Sequence, residues 1–84
     1  MKIIKRNGSE AVFDITKIIA AITKANNVVA ENQRLTKEQV IDISDKVQKI
    51  CLERGHAMNV EEIQDLVENA IMETGAHEVA RKYI

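Results

Sequence analysis

The sequence predicts an α+β, mainly α fold: a small four-helix bundle capped by an N-terminal β-hairpin. Two observations predict this architecture. Asn7-Gly8 stands between two short runs of strand-forming residues, which is the strongest local signal for a hairpin. From Asp14 onward, apolar residues recur at helical spacing, and the chain contains no proline. We expect residues 1–84 to form one domain, because a chain of this length holds a single core.

The hairpin comes first. Its predicted strands are residues 2–6 and 10–13. A two-residue type I′ turn at Asn7-Gly8 requires positive φ at both positions, which Gly adopts freely and Asn tolerates. In that register Lys5 faces Glu10, and the two side chains support one another. Because an isolated hairpin is only marginally stable in water, this one must lie on the helices.

Four helices follow. They are predicted at residues 15–25, from Thr36 to about Arg54, between Asn59 and Gly75, and within residues 76–84. Asp14 is a suitable N-cap for the first helix, and Thr36 with Gln39 forms a capping box. Residues 28–35 form either a short helical turn or a loop. His56-Ala57-Met58 is too short for a helix and is open to a third strand beside the hairpin.

Composition excludes several classes of function. A formal net charge of -1 gives no reason to expect nucleic acid or a membrane as a partner, and only Phe13 and Tyr83 are aromatic. Cys51 is the single cysteine, which excludes an internal disulfide and a cysteine-based metal site. No apolar run approaches the roughly 18 residues of a membrane span, and no signal peptide is visible. We therefore expect a cytoplasmic protein with no metal site.

Positive charge is concentrated at the hairpin. Residues 1–25 contain five Lys or Arg against two Asp or Glu, whereas the remainder is acidic. Lys5 and Arg6 precede the turn, and Lys17 lies one turn into the first helix. Two interpretations are open: a solvated turn, or three cations that converge on an anion such as a triphosphate.

The residues that join the hairpin to the first helix also allow two interpretations. Asp14 is most simply an N-cap, and it can also accept a hydrogen bond from the exocyclic amine of adenine. Phe13 is either a core residue or a platform for a base. No nucleophile and base stand together in the sequence, so the chain is interpreted as a binding module and not as an enzyme.

The opening and closing motifs together resemble the ATP-cone family. The opening comprises Ile3-Ile4-Lys5-Arg6-Asn7-Gly8, Phe13-Asp14 and Lys17-Ile18; the closing half comprises Glu62-Ile63-Gln64-Asp65-Leu66-Val67-Glu68-Asn69, Met72 and Ala80-Arg81-Lys82-Tyr83-Ile84. The closing half is most similar to the cone at the N-terminus of anaerobic (class III) ribonucleoside-triphosphate reductases.

The resemblance implies an allosteric domain that binds ATP or dATP with Mg²⁺ and controls the activity of a glycyl-radical reductase. It implies as partners the catalytic core of that reductase and other cone domains. In the family the hairpin covers the nucleotide, the Lys-Arg pair and the helix lysine meet its phosphates, and the residue at the Asp14 position recognises adenine. The implied nucleotide-binding residues are Ile4, Lys5, Arg6, Gly8, Phe13, Asp14, Lys17, Ile18 and Val60.

The sequence departs from the family pattern in three places. Asn7 replaces the usual Asp, Ala11 stands where some relatives carry a polar contact, and the chain ends at Ile84, which suggests an excised domain lacking a late basic contact. Two alternatives stay open. One is the cone of a nucleotide-sensing repressor of reductase genes, and the other is a protein–protein adaptor that binds no nucleotide.

Overall fold

The computed structural model describes all residues from Met1 to Ile84 and confirms the predicted α+β architecture. The strands are β1 (Lys2–Ile4), β2 (Glu10–Val12) and β3 (Met58–Asn59). The helices are α1 (Ile15–Asn27), α2 (Lys37–Arg54), α3 (Val60–Glu73) and α4 (His77–Tyr83), with a 3₁₀ turn at Glu31–Gln33. No helix combines the length and the apolar character that a membrane crossing requires.

The sheet has three strands in the order β2-β1-β3. β1 pairs antiparallel with β2 and parallel with β3, where Ile3 lies opposite Met58 and Ile4 opposite Asn59. The possible third strand is therefore present, although it comprises Met58–Asn59 and shares only Met58 with the predicted segment His56-Ala57-Met58. Because α3 begins at the residue after β3, this pairing places the N-terminus of α3 beside β1.

The predicted hairpin turn and register are wrong by one residue. Gly8 has φ +84°, but no residue other than glycine has positive φ, which excludes a type I′ turn. The Gly8 amide donates to the Lys5 carbonyl at 2.9 Å and the Lys5 amide donates to the Ser9 carbonyl at 2.8 Å. These bonds define a three-residue loop, in which a type I turn precedes a left-handed glycine.

The physical reason for the different turn is the side chain of Asn7. Its Oδ1 accepts from the Ser9 amide at 3.0 Å and from the Ser9 hydroxyl at 2.7 Å, an Asx-type turn that needs no positive φ at Asn7. Ile4 consequently faces Glu10, and the strands end at Ile4 and Val12, short of the predicted limits. Lys5 is therefore not opposite Glu10.

Side chains cap the N-termini of α1, α2 and α3 as predicted. Thr36 Oγ1 accepts from the Gln39 amide at 3.1 Å, and Gln39 Oε1 accepts from the Thr36 amide at 2.8 Å, which completes the capping box. Asn59 caps α3 by accepting from the Glu62 amide at 2.9 Å. Gly55 follows α2 with φ +69°, the left-handed conformation expected after a helix.

The core is aliphatic and is built from one face of each helix. Its buried hydrophobic members are Ile18, Ile22, Ala25, Val29, Leu35, Val40, Ile43, Val47, Cys51, Met58, Ile63, Val67, Ala70, Ile71, Val79 and Ala80. Ile50 and Leu66, both predicted core residues, are only partly buried. Ser44 takes a buried position on α2, where its hydroxyl donates to the Val40 carbonyl at 2.9 Å.

The uncertain stretch at residues 28–35 is an ordered connection around the 3₁₀ turn. Val29 and Leu35 at its two ends are buried in the core. The Asn26 side chain accepts from the Leu35 amide at 2.8 Å and donates to the Leu35 carbonyl at 3.0 Å. These contacts hold the loop against α1, which runs two residues beyond its predicted end.

Candidate functional site

A cleft of about 300 Å³ lies where the hairpin meets α1, α3 and the end of α4. Six of the nine predicted site residues line it: Lys5, Phe13, Asp14, Lys17, Ile18 and Val60. Most of the remaining lining is apolar. The volume falls at the lower end of the range of about 300–1,000 Å³ that is typical of small-molecule sites.

The other three predicted residues lie outside this cleft. Ile4 alternates with Ile3 and Lys5 along β1 and therefore projects from the opposite face of the sheet, where it is 37% exposed. Gly8 forms the tip of the turn, and a Cβ placed on it would meet nothing within 4 Å. Its role is to supply a positive φ. Arg6 turns toward α3.

Two unpaired lysines border the cleft. Neither Lys5 nor Lys17 has a carboxylate within 4.0 Å, since the four ion pairs of the protein use Lys2, Arg6, Lys46 and Arg81. The hairpin register explains why Lys5 is free, because Glu10 pairs instead with Lys2 at 3.8 Å on the other face of the sheet. Both ammonium groups are thus available to an anion.

Asp14 caps α1 with only one of its carboxylate oxygens. Oδ1 accepts from the Thr16 amide at 3.0 Å and from the Thr16 hydroxyl at 2.6 Å. These two hydrogen bonds, the hydroxyl bond foremost, together with the nearby Lys17, lower the pKa of the carboxyl below 3.8. Oδ2 makes no hydrogen bond within the protein, so Asp14, which lines the cleft, keeps one carboxylate oxygen free to accept a hydrogen bond.

Arg6 contacts the exposed side of α3. Its Nη2 donates to Gln64 Oε1 at 3.3 Å, and its Nε lies 3.8 Å from Glu61 Oε1. Because Gln64 itself lines the cleft, the guanidinium lies beside the cleft but is engaged with the protein. Of the three predicted phosphate ligands, Arg6 alone has side-chain partners.

Sequence reasoning missed two polar residues of the cleft, Gln64 and Tyr83. Gln64 follows Val60 by one helical turn, so the i, i+4 spacing was an available signal. Tyr83 comes from the last turn of α4, and the packing of α4 against α1 and α3 brings it here. Burial, with a smaller contribution from Glu68, raises the pKa of Tyr83 above 10.0, so its hydroxyl stays protonated at neutral pH.

A larger opening of about 440 Å³ lies elsewhere, between residues 32–35 and the α3–α4 junction. Its lining is mostly polar and includes none of the predicted site residues. The Arg34 guanidinium there is occupied by the Val29 carbonyl at 2.7 Å and the Asn27 carbonyl at 3.1 Å. No group of three or more His, Cys, Asp or Glu side chains is arranged to hold a metal ion. The cleft under the hairpin therefore remains the better candidate.

The lowered pKa of Asp14 predicts how acid affects stability. A carboxyl whose pKa is lower in the folded state stabilises the fold above its unfolded pKa, and this contribution is lost as pH falls through the folded pKa. In Asp14→Asn the cap oxygen remains but does not titrate. We expect the difference in unfolding free energy between wild type and Asp14→Asn to decline as pH falls below 3.8.

Urea denaturation of both proteins at a series of pH values measures this difference. The other carboxyl groups titrate in both proteins and cancel in the comparison. A difference that stays constant from neutral pH into the acid range would contradict the assignment of the shift to Asp14.

Comparison with known proteins identifies several relatives that are similar in sequence to this chain. The chain is 36% identical over 88 residues to "Ribonucleoside-diphosphate reductase subunit alpha" of Chlamydia pneumoniae, covering 98% of this chain and 8% of the relative. It is 36% identical over 83 residues to "Anaerobic ribonucleoside-triphosphate reductase" of Haemophilus influenzae, covering 98% of this chain and 11% of the relative.

A third relative is shorter. The chain is 34% identical over 74 residues to "Transcriptional repressor NrdR" of a Sulfurihydrogenibium species, covering 87% of this chain and 46% of the relative. This chain therefore spans about a tenth of the two reductases and about half of the repressor. A family model described as "ATP cone domain" matches residues 1–84. The chain belongs to the ATP-cone family.

Proposed function

We propose that this domain binds ATP or dATP in the cleft under the hairpin and thereby regulates the protein that carries it. The observation that carries the proposal is the combination of unpaired Lys5 and Lys17 with the free oxygen of Asp14 around a single apolar cleft. Such a cleft offers an adenine nucleotide cations for its phosphates, an acceptor for its exocyclic amine and apolar surface for its base.

The phosphates are assigned to Lys5 and Lys17. Lys5 on the hairpin and Lys17 on α1 approach from two elements, so an anion between them is held from two sides. Lys17 also lies in the first turn of α1, where backbone amides favour negative charge. Mg²⁺ would be held chiefly by phosphate oxygens and water, in keeping with its reluctance to dehydrate, since the domain offers it no carboxylate cluster.

The base is assigned to the apolar lining. Phe13, Ile18 and Val60 provide surface for a flat ring, and Phe13 is only partly buried, which leaves part of its side chain open. Asp14 Oδ2 can accept from the exocyclic amine of adenine. Guanine presents a carbonyl at the equivalent position, so an ionised Asp14 disfavours it.

Affinity for ATP tests this assignment through Lys17. Lys17→Gln removes a charge-assisted contact worth about 1.5–3 kcal/mol, so we expect binding to weaken by about tenfold or more. Lys49→Gln is the matched control, because Lys49 is an exposed lysine of α2 with no ion pair and no place in the cleft. Calorimetric titration with ATP and with dATP in the presence of Mg²⁺ measures both variants.

Two outcomes count against the proposal. If wild type binds neither nucleotide, and neither raises its melting temperature, the adaptor interpretation is favoured, since a ligand that binds the folded state must stabilise it. If Lys17→Gln and Lys49→Gln weaken binding equally, the effect is one of general charge and the cleft is wrongly assigned.

The regulatory signal is proposed to pass through association. ATP and dATP differ by one 2′-hydroxyl, which contributes about 1–3 kcal/mol if it meets a buried polar partner. Shifting a two-state equilibrium almost completely requires about 5.5 kcal/mol. Contacts between cones, or between a cone and a catalytic core, would supply the remainder.

Sedimentation of the intact parent protein with ATP and with dATP tests this step. We expect the two nucleotides to give different assembly states. Identical sedimentation with both would mean that association does not carry the signal, even if the nucleotide binds.

The parent is proposed to be a ribonucleotide reductase, and more specifically an anaerobic enzyme of the glycyl-radical class. The chain is equally identical to a diphosphate reductase subunit and to an anaerobic triphosphate reductase. This similarity supports a ribonucleotide reductase parent more strongly than it supports the anaerobic class. The second candidate is a repressor of reductase genes, favoured by the similarity to the repressor. A Cys₄ zinc ribbon preceding the cone in the parent would decide for the repressor.

A further inference from the structure

Of the three predicted phosphate ligands, only Arg6 already contacts other side chains of the protein. Its guanidinium hydrogen-bonds Gln64 at 3.3 Å and lies 3.8 Å from the Glu61 carboxylate, on the exposed face of α3. Lys5, its neighbour in the chain, has no such partner and lines the cleft. Of two adjacent cations in the hairpin, Arg6 therefore has side-chain partners and Lys5 has none.

The position of Glu61 explains the difference. Glu61 lies in the first turn of α3, one turn before Gln64, and β3 holds this end of the helix beside β1. A carboxylate is thus placed within reach of Arg6 in the hairpin loop. An incoming phosphate and this carboxylate offer Arg6 the same kind of oxygen acceptor, and each N–H that stays with Glu61 is not available to the phosphate.

We propose that Glu61 sets the affinity of the cleft by competing with the phosphates of the bound nucleotide for Arg6. This inference rests on the proposed function. In the free domain the carboxylate holds the guanidinium against α3; on binding, Arg6 exchanges Glu61 for a phosphate oxygen. Glu61 is a negative determinant, so its removal strengthens binding.

The expected effect is small and has a definite sign. The side chains of Arg6 and Glu61 are 70% and 71% exposed, and ion pairs of this kind are weak. Glu61→Gln should therefore tighten the binding of ATP with Mg²⁺ by about two- to fivefold. Asp65→Asn removes the same charge one turn further along α3, from an exposed residue with no contact to Arg6, and should leave the affinity unchanged.

A double-mutant cycle separates competition for Arg6 from a general charge effect. Calorimetric titrations compare wild type, Glu61→Gln, Arg6→Ala and the double variant at low ionic strength, where exposed charges are least screened. Arg6→Ala should weaken binding. In the Arg6→Ala background Glu61→Gln should not change the affinity, because the guanidinium for which Glu61 competes is absent.

The outcomes are distinct. The inference is overturned if Glu61→Gln also tightens binding in the Arg6→Ala background, or if Asp65→Asn tightens binding equally. It is also overturned if Glu61→Gln leaves the affinity for ATP unchanged or weakens it. Inorganic tripolyphosphate, which has no base, should bind the four proteins with the same order of affinities. If tripolyphosphate shows this order and ATP does not bind, the competition stands and the adenine site fails; if neither anion binds wild type, both proposals fail.

Discussion

The hydrogen bonds of the Asn7 side chain to Ser9 are the constraint on which the candidate site depends. By satisfying the turn without a positive φ at Asn7, they select a three-residue loop and place the register one residue away from that of a type I′ hairpin. Glu10 then pairs with Lys2 on the outer face of the sheet. Lys5 is left on the inner face with no counterion, which is the electrostatic condition that an anion site requires.

The sheet supplies the second half of the arrangement. The parallel pairing of β1 with β3 brings the first residues of α3 to the hairpin, while Asp14 starts α1 directly after β2. Two helix N-termini are thus set around one cleft by strands of two and three residues. Short strands suffice because the aliphatic core beneath them, including fully buried Met58, holds the sheet on the bundle.

Helices and caps were predictable because their signals are local. Asp14, Thr36 and Asn59 each bond the backbone within three residues, so sequence spacing alone identifies them. The turn was not predictable, because Asn-Gly is compatible with two loop types. The choice between them depends on the hydrogen bonds of the Asn7 side chain to Ser9. A shift of one residue in such a turn changes every cross-strand pair.

The candidate site was predictable in part for a related reason. Most of the residues taken from the opening motif do line one cleft, because that motif spans the turn, β2 and the start of α1. Gln64 and Tyr83 were not predicted because tertiary packing places them: Tyr83 reaches the cleft through the packing of α4 on α1 and α3. The partners of Arg6 are likewise contacts between elements far apart in the sequence.

The most direct measurement is a titration of the isotopically labelled domain with ATP and Mg²⁺, followed by backbone amide NMR. Binding under the hairpin predicts the largest shift changes at Lys5, Asp14, Lys17 and Val60. The amides around Lys46, which pairs with Glu73 at the opposite end of α3 from Val60, should be unaffected. An unchanged spectrum, or changes confined to the polar opening near Arg34 and His77, would contradict the assignment of the nucleotide to this cleft.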